Sequence, residues 1–327
     1  MKERDYSLDI IRIGACVMIV LMHSPISESE MPGAVLSGLS YLTAPGIGLF
    51  FMVSGALLLT GQSKVFETSK FLKRRFAKIL IPLLFWTIVG VTLENYGVKN
   101  TELGILWFMY CLAGMYLLTP ILSRWLSAAT AKEVEFYLLL WLLTMCVPFV
   151  NLFTSINEGD TSWLYYFHGY VGYYVLGYYL QNFLNDSEAI VAKKWFKGCF
   201  VAVFMCVSVL LPIVIFVTQV EVDFYSVFWY LSITVALQCV MWWMLVKKFM
   251  NQVVKANGFM VELSKLSFGI YLIHILVMRN LLWETQWMQE MNGIVQIVVC
   301  AFLTFVISVF ISWCLSKVKY VRAVIGY

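Results

Sequence analysis

Apolar runs of about 20 residues recur along the whole chain, with short polar segments between them. A helix of that length crosses a hydrocarbon core of about 30 Å. The runs predict about ten transmembrane helices, at 8–24, 41–60, 76–97, 104–122, 135–154, 163–183, 199–219, 225–246, 266–283 and 293–316. No polar stretch between them is long enough for a second domain. The sequence therefore predicts one all-α, polytopic membrane domain over residues 1–327.

The distribution of charge supports this interpretation and gives an orientation. Only 13% of the residues are charged and 61% are hydrophobic, whereas about 25% are charged in soluble domains. Nearly all of the 23 Lys and Arg residues lie in the N-terminal tail, in alternate loops and at the C-terminus; Lys99 and Arg279 lie on the other side. By the positive-inside rule, both termini are predicted to be cytoplasmic. The net charge of +4 thus follows membrane topology, and no nucleic acid is predicted as a partner.

Arg12 and His23 are ionisable residues on the first apolar run. Eleven positions separate them, so both side chains share one helix face at an axial spacing of about 16 Å. Such side chains are costly in a membrane unless they face a protein interior or a water-filled cavity, which makes a functional site the first hypothesis. An imidazole is the usual general base for a hydroxyl. The structural alternatives are that Asp9 neutralises Arg12 as an anchor and that His23 hydrogen-bonds a neighbouring helix.

A basic stretch before the third predicted helix contains Arg74, Arg75 and Lys78. Basic residues at the cytoplasmic end of a helix satisfy the positive-inside rule and contact anionic lipid, so they need no substrate to explain them. The second interpretation is a phosphate-binding cluster, because Arg binds phosphate bidentately and Lys binds it as a point charge. Such a cluster would suit a phosphorylated cytosolic donor such as coenzyme A.

Aromatic and histidine residues of the later helices form a third group of candidates. Tyr174 lies in a tyrosine-rich run, for which an aromatic belt with packing and a sugar-binding cavity both stay open. Tyr271 and His274 share a face near the predicted start of the ninth helix, as packing residues or as part of a cavity. Ser54, among small residues, is predicted to serve helix packing rather than catalysis. The eight cysteines form no CxxC or Cys/His cluster, so neither a metal site nor a disulfide framework is predicted.

Taken together, these residues resemble the acyltransferase family 3 membrane proteins, and more closely their stand-alone surface-polysaccharide O-acetyltransferases. Six blocks in the same order carry the resemblance, which covers nearly the whole chain. They are Leu8-Asp9-Ile10-Ile11-Arg12 followed by His23, Gly48 to Gly55, Arg74 to Pro82, Leu106 to Tyr110 with Tyr116 and Pro120, Gly172 to Tyr178, and Ser267 to His274.

The resemblance implies transfer of an acyl group, usually acetyl, from cytosolic acyl-CoA to a hydroxyl of an extracytoplasmic or lipid-linked glycan. It implies that His23 is the catalytic residue and Arg12 its essential companion. The CoA phosphates are then expected at Arg74, Arg75 and Lys78, although Lys78 stands where the family usually has Arg and lacks its bidentate geometry. The substrate cavity is expected to include Trp107, Tyr110, Tyr174, Tyr271 and His274. Acetyl-CoA is a donor substrate here rather than a permanently bound cofactor.

Localisation and partners follow from the same resemblance. We expect a multi-pass protein of the bacterial cytoplasmic (inner) membrane that contacts lipid, acyl-CoA and a glycan acceptor; the oligomeric state, including a homo-oligomer, stays open. The main alternative is a transporter or flippase for a glycan-lipid or small metabolite, because an inner cation and a Tyr-lined helix also suit a translocation path. A non-catalytic scaffold would leave the Arg12–His23 pair without a role. The sequence does not distinguish direct transfer from an acyl-histidine intermediate.

Overall fold

The computed structural model of the protein describes residues 4–26, 38–39, 41–59, 67–98, 103–151, 165–183, 214, 230–253 and 258–327. Every regular element in these ranges is helical, and they contain no strand. The long helices are α1 (Tyr6–Met22), α2 (Pro45–Leu58), α3 (Thr68–Asn95), α4 (Trp107–Ala128), α5 (Ala131–Asn151), α6 (Val171–Asn182), α7 (Ile233–Val253), α8 (Gly258–Val277) and α9 (Gly293–Lys317). Short helical turns lie at Leu103–Leu106, Tyr165–Phe167, Met278–Leu282, Gln286–Gln289 and Arg322–Ile325.

These helices overlap predicted apolar runs; of the span predicted at 199–219, only residue 214 is described. Five helical segments in the described part are long and apolar enough to cross a membrane: Tyr41–Leu58, Thr68–Asn95, Gly104–Ala128, Gly258–Leu282 and Gly293–Lys317. α1, with 17 residues, is shorter than the roughly 20 of a full crossing. The all-helical membrane architecture is confirmed, while the count of ten spans and the cytoplasmic termini stay predictions.

Two helices begin earlier than the apolar runs predict. α3 begins at Thr68 rather than near 76, and α8 begins at Gly258 rather than near 266. Both extensions contain good helix formers such as Lys and Leu, whereas an apolar run marks only the part suited to the membrane core. The basic stretch is therefore helical. His274 lies in the last turn of α8, about 24 Å from its start, and not near its beginning as predicted.

The first of two compact units contains the candidate catalytic residues. It comprises Met1–Met31, Val65–Pro120 and Met250–Tyr327. Within it, α8 packs against α1 and α9, and the turn Arg322–Ile325 packs on α3. Trp86 of α3 donates a hydrogen bond of 2.9 Å to the Val324 carbonyl, and Ile325 is fully buried. The chain end is thus part of this packing, although the sequence pattern indicated only a basic cytoplasmic tail.

The second unit comprises Pro32–Lys64 and Ile121–Phe249. In it, α2 and α6 approach so closely that glycine is required at their contact. A Cβ atom on Gly55 would lie 1.8 Å from the carbonyl oxygen of Tyr174, and one on Gly177 would lie 1.9 Å from that of Met52. The predicted close packing of the small residues around Ser54 is therefore confirmed.

We expect Gly177→Ala to destabilise the protein by about 3 kcal/mol, at the upper end of the usual overpacking cost, because the new methyl group meets helix backbone rather than a flexible side chain. The measurement is the thermal midpoint of the purified protein in detergent. Gly114→Ala is the matched control, since a Cβ there meets nothing within 4 Å, and it should be neutral or stabilise by about 0.5–1 kcal/mol. Equal midpoints for the two variants would contradict the close contact.

Candidate functional site

The N-terminal end of α1 contains an ion pair that the sequence did not indicate. Arg4 donates from Nε and Nη2 to the two carboxylate oxygens of Asp9, both at 2.8 Å. This hydrogen-bonded pair raises the pKa of Arg4 above its ordinary value. Asp9 acts on Arg12 only through its field, without a direct contact. Asp9 thus makes its direct ion pair with Arg4, and the alternative in which Asp9 neutralises Arg12 as an anchor stays open.

Arg12 also lies within electrostatic range of a second arginine and a tyrosine. Tyr116 of α4 is buried, with 8% of its surface exposed, and shares a hydrogen bond with Arg75 of α3. Arg12 and Arg75 are close enough for each positive charge to act on Tyr116, and Arg75 also acts on Arg12. The Arg75 guanidinium lies 6.0 Å from the centre of the Phe71 ring. The positive charges of Arg12 and Arg75 oppose each other, and the Asp9 carboxylate partly offsets them at Arg12.

The other residues of the basic stretch face elsewhere. Arg74 is exposed and lines an open groove of about 560 Å³ at the start of α3. The groove residues are Glu67, Thr68, Ser69, Lys70, Lys73 and Arg74. Consecutive residues on a helix point about 100° apart, which explains why Arg74 reaches the groove and Arg75 reaches Tyr116. Lys78 is exposed, and its backbone carbonyl lies beside Gly326 of the chain end.

His23 is the C-cap of α1, and its ring orientation is fixed by the backbone. Its Nδ1 lies 2.8 Å from the carbonyl oxygen of Ile19. A carbonyl only accepts, so Nδ1 carries the proton and Nε2 of the neutral ring keeps its lone pair. The next residues are held by the buried Gln296 of α9: its amide nitrogen donates to the Ser24 carbonyl at 2.8 Å, and its amide oxygen accepts from the Ile26 N–H at 3.4 Å.

The His274 ring lies against His23. The ring centres are 5.3 Å apart with an interplanar angle of 65°. His274 is fully buried, and its Nδ1 donates to the Tyr271 carbonyl at 2.5 Å. Its Nε2 is buried and has no hydrogen-bond partner among the described residues. Tyr271 donates its hydroxyl to the Ile105 carbonyl. Two imidazoles, each with a backbone-bound Nδ1, thus meet at the C-terminal ends of α1 and α8.

The remaining predicted cavity residues are spread over both units. Phe108, beside the half-buried Trp107, contacts the Tyr271 ring at 5.2 Å between centres. Tyr110, one turn of α4 further on, is 60% exposed. Tyr174 is fully buried in the second unit, where its backbone contacts Gly55. In that unit the tyrosine-rich run serves packing at several positions; Tyr173, for example, donates to the Tyr230 carbonyl at 2.6 Å.

Tyr116, Gln296 and Arg279 have no predicted role at the site. Arg279 lies in a π-helical turn, Met278–Leu282, directly after α8; such turns often mark functional sites. Its guanidinium is 4.9 Å from the centre of the Trp283 ring, and its charge acts on His23. Gln296 and Arg279 could have been singled out in the sequence as polar residues within or beside an apolar run.

Comparisons with known proteins agree with this architecture. A family profile described as an acyltransferase domain, acyltransferase 3, matches residues 5–313. Comparison with curated proteins and with solved structures gave no match. The match includes α1 with Arg12 and His23, the basic stretch of α3, and α8 with His274. With most of its length matched by this profile, the chain belongs to the acyltransferase 3 family of membrane acyltransferases.

Proposed function

We propose that the protein transfers an acetyl group from cytosolic acetyl-CoA to a hydroxyl of an extracytoplasmic or lipid-linked glycan, in the bacterial cytoplasmic membrane. The observation that carries this proposal is the arrangement along α1. Arg12 lies with Arg75 and Tyr116 towards one end of the helix, and the backbone-oriented His23 caps the other. The axial spacing of Arg12 and His23 is about 16 Å. Helix α1 with its C-cap thus contains both the proposed base, His23, and a proposed anion-binding residue, Arg12.

The donor side of the proposal rests on the basic residues of α3. Arg74 and Lys73 line the groove, where they can bind phosphates of CoA. Arg75 and Arg12 form the second anion site, for a further phosphate or for the developing thioester oxyanion. Lys78 adds positive charge at the surface. Because CoA carries its thioester on a long pantetheine arm, phosphates bound at α3 leave that arm to extend along α1 towards His23.

The chemical step uses the free lone pair of His23 Nε2. As the acceptor oxygen attacks the acyl carbon, Nε2 takes the hydroxyl proton. The carbon–sulfur bond breaks, and the CoA thiolate takes the proton from His23. In the covalent alternative, Nε2 attacks the thioester carbon and the carbon–sulfur bond breaks, which leaves an acyl-imidazolium and the CoA thiolate. The acceptor hydroxyl then attacks the acyl carbon, the carbon–nitrogen bond breaks, and the hydroxyl proton passes to the thiolate. Both routes need His23 and release one CoA thiol for each ester formed.

The acceptor assignment is tested with membranes that contain the full-length protein, acetyl-labelled acetyl-CoA and an envelope glycan fraction. We expect protein-dependent label in the glycan that mild base releases as acetate, because O-esters are base-labile. Membranes with the His23→Ala variant are the control. Thiol release without glycan labelling would contradict the glycan acceptor alone. Glycan translocation without consumption of acetyl-CoA would favour the transporter.

We expect Gln296→Leu to reduce turnover about 10-fold, because the chain after His23 loses both hydrogen bonds to the amide and leaves buried backbone groups unpaired, at about 1–3 kcal/mol. The measurement is the kcat of acetyl-CoA-dependent thiol release. Gln286→Leu makes the same change at an exposed position and should retain wild-type kcat. An unchanged kcat in Gln296→Leu would contradict a role of Gln296 in positioning His23.

A further inference from the structure

The ion pair of Arg4 and Asp9 lies at the end of α1 that also contains Arg12, and the proposed chemistry gives it no role. Arg4 donates from Nε and Nη2, so each carboxylate oxygen of Asp9 accepts one charge-assisted hydrogen bond of 2.8 Å. Only 8% of the Asp9 side chain is exposed, against 46% for Arg4. A carboxylate with so little access to water needs a cation beside it.

Two cations can meet this need. Asp9 and Arg12 are three residues apart on α1, a spacing that allows a carboxylate and a guanidinium to pair on one helix face. Arg4 precedes the helix and reaches the same carboxylate by folding back on the first turn. In the structure Arg4 occupies both oxygens, while Asp9 acts on Arg12 only through its field. The two arginines thus compete for one carboxylate.

The outcome of this competition sets the charge that Arg12 presents to a ligand. While Arg4 neutralises Asp9, the Arg12 guanidinium keeps its donors and lies within electrostatic range of Arg75 and Tyr116. If Asp9 paired with Arg12 instead, the carboxylate would occupy donors of that guanidinium and cancel its charge. An anionic ligand would then have to displace a carboxylate that is already bound.

We propose that Arg4 is a positioning residue for the donor site: it binds Asp9 and thereby keeps Arg12 available to a phosphate or the thioester oxyanion of acetyl-CoA. This inference rests on the proposed acyl transfer. It also decides the alternative in which Asp9 neutralises Arg12, since that pairing is expected only when Arg4 is absent. Arg4 itself does not touch the substrate, and its effect on transfer passes through Asp9 and Arg12.

The test compares wild type, Arg4→Gln, Asp9→Asn and the double variant Arg4→Gln/Asp9→Asn as purified full-length proteins in liposomes. The measurements are kcat/KM for acetyl-CoA in thiol release and the thermal midpoint. We expect kcat/KM to decrease about 10-fold in Arg4→Gln, comparable with the loss of one charge-assisted contact. The double variant should return close to the wild-type value, because no carboxylate remains to pair with Arg12. Asp9→Asn alone should stay close to wild type for the same reason.

Two further variants complete the test. Arg4→Lys keeps the charge but loses the guanidinium fork, so it should retain most of the activity that Arg4→Gln loses. Arg124→Gln makes the same change as Arg4→Gln at another exposed arginine and should keep the wild-type kcat/KM. All variants should have thermal midpoints close to wild type, because Arg12 replaces Arg4 as the partner of Asp9.

Two results would overturn the inference. A wild-type kcat/KM in Arg4→Gln would show that Arg4 has no effect on the donor site. A deficit in Arg4→Gln that Asp9→Asn does not restore, with a lowered thermal midpoint in both, would make the ion pair purely structural. A wild-type protein that releases no thiol would overturn the proposed function as well. An active wild type without restoration in the double variant overturns this inference alone, so the two failures are distinguishable.

Discussion

His23→Ala is expected to abolish acyl transfer, with a loss of at least about 10²–10⁴-fold in kcat, the usual contribution of a positioned general base. The substitution removes the only ring nitrogen of α1 that is oriented with a free lone pair in the described structure. It should leave the fold intact, because His23 is a C-cap whose backbone N–H bonds to the Leu21 carbonyl independently of the side chain. The measurement is product formation per folded protein.

Two controls sharpen this prediction. His168→Ala makes the same change at an exposed histidine and should retain full activity. Added imidazole should restore part of the turnover of His23→Ala by occupying the space of the missing ring. Retained turnover in His23→Ala without imidazole would rule out both the base and the acyl-carrier roles.

The double substitution Arg74→Ala/Arg75→Ala is expected to raise KM for acetyl-CoA about 100-fold or more. Each charge-assisted contact with phosphate is worth about 1.5–3 kcal/mol, or roughly 10-fold or more in affinity. The contribution of the exposed Arg74 to donor binding should decrease at high salt, because salt screens exposed charges more strongly than buried ones. The measurement is KM in thiol release, supported by direct binding of acetyl-CoA.

Single variants separate the two arginines. Arg74→Ala should weaken binding of the donor, whereas Arg75→Ala also removes the hydrogen bond to Tyr116 and should lower kcat. Arg75→Lys keeps the charge but loses the guanidinium fork, so it should recover only part of the activity. Arg124→Ala, at another exposed arginine, is the matched control. The same KM in the double variant and in Arg124→Ala would favour the lipid-contact interpretation of the basic stretch.

Helix positions were the part of the fold that the sequence predicted well, because a membrane requires long apolar runs. Helix ends were predicted less well: the first turns of α3 and α8 are polar enough to leave the apolar run and still form helix. This is why the basic stretch was expected before a helix, and His274 near the start of one. Hydropathy indicates which residues can lie in the lipid core. It says little about the residue at which a helix begins or ends.

The contacts at the site that could not be predicted from the sequence depend on tertiary packing. The spacing of Asp9 and Arg12 allowed an ion pair, but Arg4 folds back on the first turn of α1 and takes both carboxylate oxygens. Nothing in the local pattern brings His274 to His23, which is 251 positions away in sequence. The link between Arg75 and Tyr116 likewise joins two helices. Sequence periodicity predicts which side chains share one face of a helix. The contacts between faces of different helices depend on the packing of the whole unit.

The proposed consumption of acetyl-CoA through His23 is tested most directly by one measurement. Thiol release from acetyl-CoA is followed with the purified full-length protein in liposomes, for wild type, His23→Ala and Arg74→Ala/Arg75→Ala. We predict thiol release by the wild type, none above background for His23→Ala, and release only at much higher acetyl-CoA for the arginine variant. A folded wild-type protein that neither binds nor cleaves acetyl-CoA, or a His23→Ala variant as active as wild type, would contradict the account.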